Sequence, residues 1–586
     1  MSKSEWKSNP ANNEWNDAEN WNPSGVPSNE AVFSTSEKTG ITFTPKSESE
    51  VDSIEFLSNA SPFTFTIGNS PQNTALTINK GVTNNSPYTQ TFVVASEGAS
   101  YKTPQLKFTN NANAGESNVM YQAGPTSLEN GFGGGIIAFT DDATAGSANF
   151  VARTGAQTPP KNQPSTVGAE ISFSDRSNAG KGTFKSYGTL KPPTGAVDTD
   201  TFGNIVFHDE TSANQGTFIS AGGTYGDGGN TQFYDSSNAA NGTYINYGAT
   251  MKGGNGGDAV FDGNSNGGNG TFHNYAATAE GGFGGVVSFN NNPPNVDQGG
   301  SSAGNGTYHN YGAQQPSQGG GGHIEFSAIH GSPTADHGTF HNFGSVLDSS
   351  SSAGHTIFSI NTPTYYFPTA GNAMIYNHPA LSAKGSAGYT EFAVYKKGNS
   401  YDDYDSDQTN YPTAAQSTIH NLGGTLEGAA GGYTTFSGKT DAGNATLMAT
   451  GGINGGQSGR IVFQGDVNGN QAQINLSGNA VLDISYYNGN LTVNSLTTQE
   501  GTIITQTGEY LTTLELSEGL NINSGIISFS FPSDGGKFEI DKAYTVLTAP
   551  NLSDYHPAQF NWEGLKGASA EFNIEGNNLQ VVFSED

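Results

Sequence analysis

Short alternations of apolar and polar residues, bracketed by glycine, recur along this chain, and none carries the three-to-four spacing of an amphipathic helix. "AGKGTFKSYG" is followed by "ANQGTFISAG", "AANGTYINYG", "GGNGTFHNYA", "AGNGTYHNYG" and "ADHGTFHNFG". Their leading aromatics are Phe184, Phe218, Tyr244, Phe272, Tyr308 and Phe340, separated by 34, 26, 28, 36 and 32 residues. Val119 and Phe150 precede the series as weaker copies, and Ile375, Ile419, Leu447 and Ile474 extend it. A second short strand stands before each copy, as in "AEISFSD" and "GNIVFHD". Phe173, Phe207, Phe233 and Phe261 each lie 11 residues before the next repeat aromatic. The same 11 separates Phe108 from Val119, Phe139 from Phe150, Phe436 from Leu447 and Phe463 from Ile474.

A fixed step across one corner and a variable step across the other predict a coil, repeated. The expected fold is all-β: an elongated right-handed parallel β-helix in which equivalent residues stack on successive rungs about 4.8 Å apart. Alternation places the residue two beyond each aromatic on the same inward face. Asn246, Asn274, Asn310, Asn342, Asn377 and Asn421 hold that place, with Ser186 and Ser220 before them, and they predict an internal asparagine ladder.

The ends differ. Residues 1–50 hold Trp6, Trp15 and Trp21 and read as an N-terminal cap, which would shield an open sheet edge. Residues 51–480 carry the Gly/Asn-rich coils, and 481–586 read as regular strands with a C-terminal cap. The Trp-Asn pairs of "EWNDAENWNPSGVP", the "AGNGT" coils and the closing "AYTVLTAP" and "FNIEGNNLQVVF" together resemble the passenger regions of bacterial autotransporter-type surface proteins. That resemblance covers nearly the whole chain in style and order, and it implies surface display with adhesion or shielding. It differs in ending at "VVFSED", where an outer-membrane barrel would follow.

Composition narrows the partners. Lys+Arg is 22 against 52 Asp+Glu, a net charge of −30, which repels phosphate backbones and anionic membranes and sets nucleic acid aside. An 11% aromatic content argues for a folded chain despite 81 glycines. No run of 18 apolar residues is present, so no transmembrane helix is expected. "MSKSEWKSNP" lacks the apolar core of a secretory signal. With no cysteine there is no thiol chemistry.

Candidate chemistry lies in three places. "GGNGGDAVF" matches a Ca2+-binding nonapeptide with Asp258 as its acid, although the next copy, "GGFGGVVSF", lacks the Asp and favours a plain glycine loop. His273, His309 and His341 fill one slot between inward residues, so they should face solvent, where stacked imidazoles could take a metal. The corner grows from 11 to 17 residues between Phe358 and Ile375, and to 27 between Phe392 and Ile419. The first carries Tyr365, Tyr366 and Phe367; the second carries Tyr401, Asp402, Asp403, Tyr404, Asp405 and Asp407. Aromatic faces beside acids suit a sugar ring or a bridging Ca2+. Beyond that Ca2+, no cofactor is expected.

The function expected from sequence is non-catalytic. The reading is an extracellular or cell-surface adhesin or scaffold that binds glycans or host proteins through the enlarged corners. A carbohydrate-active β-helix enzyme is the alternative, disfavoured because Arg153, Arg176 and Arg460 are the only arginines and none joins a repeated acidic cluster. A structural coat or filament subunit is the third reading.

Overall fold

A computed structural model describes residues 3–68, 74–95, 105–124, 134–154, 168–189, 202–224, 226–290, 299–328, 331–360, 366–395, 410–487, 489–507, 511–533 and 538–585. The chain is a parallel β-solenoid divided into two compact units, Met1–Val287 and Ser288–Asp586. Each unit contains two parallel sheets, and successive coils add one strand to each sheet.

In the first unit, Glu170–Phe173 pairs in register with Asn204–Phe207, which pairs with Asn230–Phe233 and then with Asp258–Phe261. The second sheet runs Thr183–Ser186, Thr217–Ser220, Thr243–Asn246 and Thr271–Asn274 in the same way. Like rings therefore stack along each sheet, as Phe173 on Phe207 at 4.6 Å and Tyr244 on Phe272 at 4.4 Å. Across the core the rings meet edge to face, as Phe173 and Phe184 do at 5.8 Å. The 11-residue step is the length of chain that brings these two inward rings together. All these rings are fully buried, and each such pair adds about 0.5–1.5 kcal/mol beyond its area.

The fixed corner is built from side chains that imitate backbone turns. One residue, six before each repeat aromatic, accepts the amide two places on: Asn178 from Gly180 at 3.1 Å, Ser212 from Asn214 at 3.1 Å and Asn266 from Gly268 at 2.6 Å. The donor in each has a left-handed backbone, with φ of 57°, 50° and 58°. The same turn returns in the second unit at Thr334, Thr369, Thr413, Asp441 and Asn468. A parallel file of carboxylates lies beside it in the first unit. The amides of Asp141, Asp175 and Asp209 donate to the side chains of Asp175, Asp209 and Asp235, one rung on, at 2.9–3.1 Å.

The variable corner is closed at its two feet by one recurring hydrogen bond, while the bonds between the feet differ from rung to rung. Gly203 donates to the Tyr187 carbonyl, Gly229 to Ala221 and Gly257 to Tyr247; in the second unit Gly322, Gly354 and Gly388 donate to Tyr311, Phe343 and His378. What lies between the feet can vary without moving either strand. The foot must be glycine: a Cβ on Gly388 would overlap the Asn342 carbonyl oxygen.

The asparagine ladder is present. In the second unit Asn310, Asn342 and Asn377 donate through Nδ2 to Oδ1 of Asn342, Asn377 and Asn421 at 2.8, 2.9 and 2.8 Å. Each Nδ2 also donates to a carbonyl of the facing sheet, those of His355, Tyr389 and Tyr433 respectively. In the first unit Asn246 bonds Asn274 at 2.9 Å, and Ser186 bonds Ser220 at 3.5 Å.

One expected member is displaced. Val119 is not the ladder residue of its rung: Tyr121 stands in register with Phe92 and Phe150, while Val119 faces Gln90. The step from Phe108 is therefore 13, and the Tyr121 hydroxyl donates to the Ala114 carbonyl at 2.6 Å, satisfying a corner that is two residues longer.

Both caps are formed. Trp6, Trp15 and Trp21 are buried; Trp6 and Trp15 each meet Trp21 edge to face, at 5.1 and 4.9 Å, and all three lie within 6.2 Å of Phe33. At the other end, Ala543–Thr548 is paired on its far side by an antiparallel hairpin, Ala568–Glu575 with Asn578–Glu585. An antiparallel partner ends the parallel series and removes that edge as a template. Among the described residues no helix is long and apolar enough to cross a membrane.

Candidate functional site

In the second unit, the fixed corners of four consecutive rungs line an open cavity of about 410 Å³. Phe367 comes from the first rung and Tyr411 from the next. They stand where the two enlarged corners rejoin the solenoid, and Thr369 and Thr413, two residues beyond each, bridge in parallel. The third rung supplies Lys439, Thr440 and Asp441, and the fourth Asp466 and Asn468. The bridge series Thr369, Thr413, Asp441, Asn468 sets these rungs in order.

The walls divide by chemistry. Phe367 and Tyr411 are half-buried rings, and the Lys439 ammonium lies 5.9 Å from the centre of the Tyr411 ring, within cation–π range. Asp441 uses Oδ1 to accept the Gly443 amide at 2.7 Å, so its carboxylate is held in place by the turn and keeps a second oxygen for other partners. Thr440 is 1% exposed, and its hydroxyl has no hydrogen-bond partner among the described residues. One ammonium against two carboxylates leaves the lining with a formal charge of −1. A cavity with an aromatic wall and fixed acceptors can seat a small polyhydroxylated ring, with its C–H face on the aromatics and its hydroxyls on the carboxylates.

Of the sequence candidates, Phe367 lies in this cavity. Tyr366 is half-buried beside it. Tyr365, Tyr401, Asp402, Asp403, Tyr404, Asp405 and Asp407 lie outside the described residues. The sequence reading missed Tyr411, Lys439, Asp441 and Asp466. The available signal was the place six before each repeat aromatic: a neutral Asn, Ser or Thr fills it on most rungs, and Asp441 alone there carries a charge among the turn residues named above.

The three histidines face outward, as expected, and are half-buried. In the second unit His309 stacks on His341 at 5.3 Å, and His341 on Tyr376 at 5.0 Å. Burial holds the pKa of His273 and His341 below the ordinary histidine value. Asp258 begins its strand in register with Asn230. Burial first, and the neighbouring Asp227 second, push its carboxyl well above the usual range. Its Oδ1 is buried with no partner among the described residues. Among those residues no group of three or more His, Cys, Asp or Glu side chains is arranged to hold a metal.

Comparison with protein-family models and with curated proteins finds no match to this chain.

Proposed function

We propose that this β-solenoid is a non-catalytic, surface-displayed binding protein and that the corner cavity seats one sugar unit of a glycan. The observation that carries this reading is the convergence of Phe367 and Tyr411 with Lys439, Asp441 and Asp466 at the place where both enlarged corners return. A rigid stack of rungs fixes the aromatic wall and the carboxylates relative to each other, so little ordering entropy is lost on binding. The acidic surface, at −30 net, suits neutral or basic sugars and disfavours sulfated or phosphorylated ones. The resemblance to autotransporter passengers supports display outside the cell.

The test is a glycan array with the full chain, run beside a polysaccharide-degradation assay. The parent should bind a defined set of glycans and release no new reducing ends. Tyr411→Ala and Asp441→Asn should each weaken that binding at least tenfold. Unchanged binding by both variants would remove the cavity from the reading, and glycan cleavage by the parent would replace it with an enzymatic one.

A further inference from the structure

We propose that His341 and His378, on adjacent rungs of the second unit, form a chelating site for a divalent transition-metal ion of the Cu2+, Ni2+ and Zn2+ group. His341 is the third residue of the strand Thr339–Asn342, and His378 follows the next strand of that sheet, Met374–Asn377. Alternation puts both on the outer face, diagonal to one another. Their ring nitrogens, Nδ1 of His341 and Nε2 of His378, are 3.2 Å apart. That is the bite a single ion needs. Two nitrogens each about 2.05 Å from a metal are separated by about 2.9 Å in an octahedral arrangement and about 3.3 Å in a tetrahedral one.

The rings are held in this relation by their neighbours. Phe343 stacks on His378 at 4.5 Å and lies 6.0 Å from His341, while His309 and Tyr376, in register on the rungs before and after, stack on His341 at 5.3 and 5.0 Å. The His341 and His378 planes are inclined by 29°, and chelation requires each imidazole to turn until its lone pair leaves the N···N line and meets a shared ion. The metal form balances without loss of a proton. In the metal-free protein one imidazole donates its N–H to the other. On chelation that imidazole moves its proton to its remote nitrogen, and both facing nitrogens offer lone pairs. Burial, with His341 and His309 adding to it, holds His378 down to about 4, and burial lowers His341 as well. Water completes the coordination, and nitrogen ligation of this kind ranks Cu2+ above Ni2+ and Zn2+. This site is separate from the corner cavity and does not depend on its reading.

The test titrates CuCl2 alone into the full chain near pH 7, followed by calorimetry and by electron paramagnetic resonance. One equivalent should bind with nitrogen hyperfine structure from two imidazoles. His341→Tyr copies the tyrosine of the next rung in that slot, and His378→Phe copies Phe343 of the preceding rung, so both should fold, with melting temperatures near the parent's in the absence of metal. Each should weaken binding at least tenfold. His420→Gln, on the same face but outside the pair, should bind as the parent does. Parent-like binding by either pair variant, or a spectrum with oxygen ligation alone, overturns the site.

Discussion

Asn377 donates through Nδ2 to Oδ1 of Asn421, 2.8 Å away on the next rung, whereas the Nδ2 of Asn421 is buried with no acceptor among the described residues. The next rung offers only Ala449 in register. Interior and terminal members of one ladder thus differ in what they lose on replacement. Asn377→Ala removes the acceptor of the Thr390 hydroxyl, which donates to its Oδ1 at 3.0 Å, and leaves the Asn342 amide short of an acceptor. It should cost about 2–4 kcal/mol. Ala449→Asn gives Asn421 an acceptor and should offset part of the cost of burying its amide, provided the larger side chain packs. Urea melts of the two variants check the order; an Asn377→Ala protein as stable as the parent would mean the ladder does not carry load.

The turn donor at Ala240 has φ of 49°, where other rungs of the first unit place Gly180 and Gly268. A side chain in that region costs about 1–2 kcal/mol, and glycine returns about 0.4–1 kcal/mol of that as unfolded-chain entropy. Ala240→Gly should therefore stabilise by about 0.5–1 kcal/mol. The reverse change, Gly268→Ala, also drives a Cβ into the Ala240 backbone and should cost at least about 2 kcal/mol. Thermal melts of the pair decide the matter, since equal and opposite shifts would leave no role for the crowding.

His355 is 8% exposed, stacks between His323 and Tyr389 at 4.9 and 4.8 Å, and is held down to about 3 by burial first and by His323 second. The Ala353 carbonyl, 2.9 Å from Nδ1, and the nearby Glu325 act the other way. Because its folded value lies below the unfolded 6.5, the unfolded chain binds the extra proton first. Stability from this group is complete above about pH 6.5 and falls as the pH drops toward 3, by up to about 1.4 kcal/mol per unit. Melting temperatures from pH 7 to 4 should decline, and His355→Tyr, which continues the tyrosine stack, should flatten the decline. An unchanged slope would place the acid sensitivity elsewhere.

Phe272 and His273 are adjacent in sequence but opposite in direction. Phe272 is fully buried against Tyr244 and Phe261, while His273 is half-buried on the outer face. Phe272→Ala should cost about 3–5 kcal/mol and His273→Ala less than about 1 kcal/mol. Similar losses in both would mean that the outer face is covered.

The coil was legible because its energetics are periodic. Every rung buries the same ring and turns at the same corner, so Phe173 and Phe184 repeat their spacing at Phe207 and Phe218. The spacing failed at Val119, where a longer corner moved the ring to Tyr121, and a one-residue-type pattern cannot show which of two buried positions holds register. The cavity was hidden for a different reason. Phe367, Tyr411, Lys439 and Asp466 come together only because four rungs stack, and no local run of sequence contains them. Both enlarged corners rejoin the solenoid at rungs that line the cavity, and of the named residues that are described Phe367 lies in it.

The ladder from Asn310 to Asn421 has a direction. Each carboxamide passes a hydrogen to the next, so turning one over would set two oxygens face to face on one side and two amino groups on the other. None can turn alone; the file would have to reverse as a whole. The second hydrogen of each amide, given to His355, Tyr389 or Tyr433 across the core, forbids that reversal. The column is therefore a row of dominoes fixed upright, with every oxygen facing one way along it and every amino group the other. A coil added to such a column must arrive in a single orientation, so the asparagines transmit polarity from rung to rung as well as cohesion.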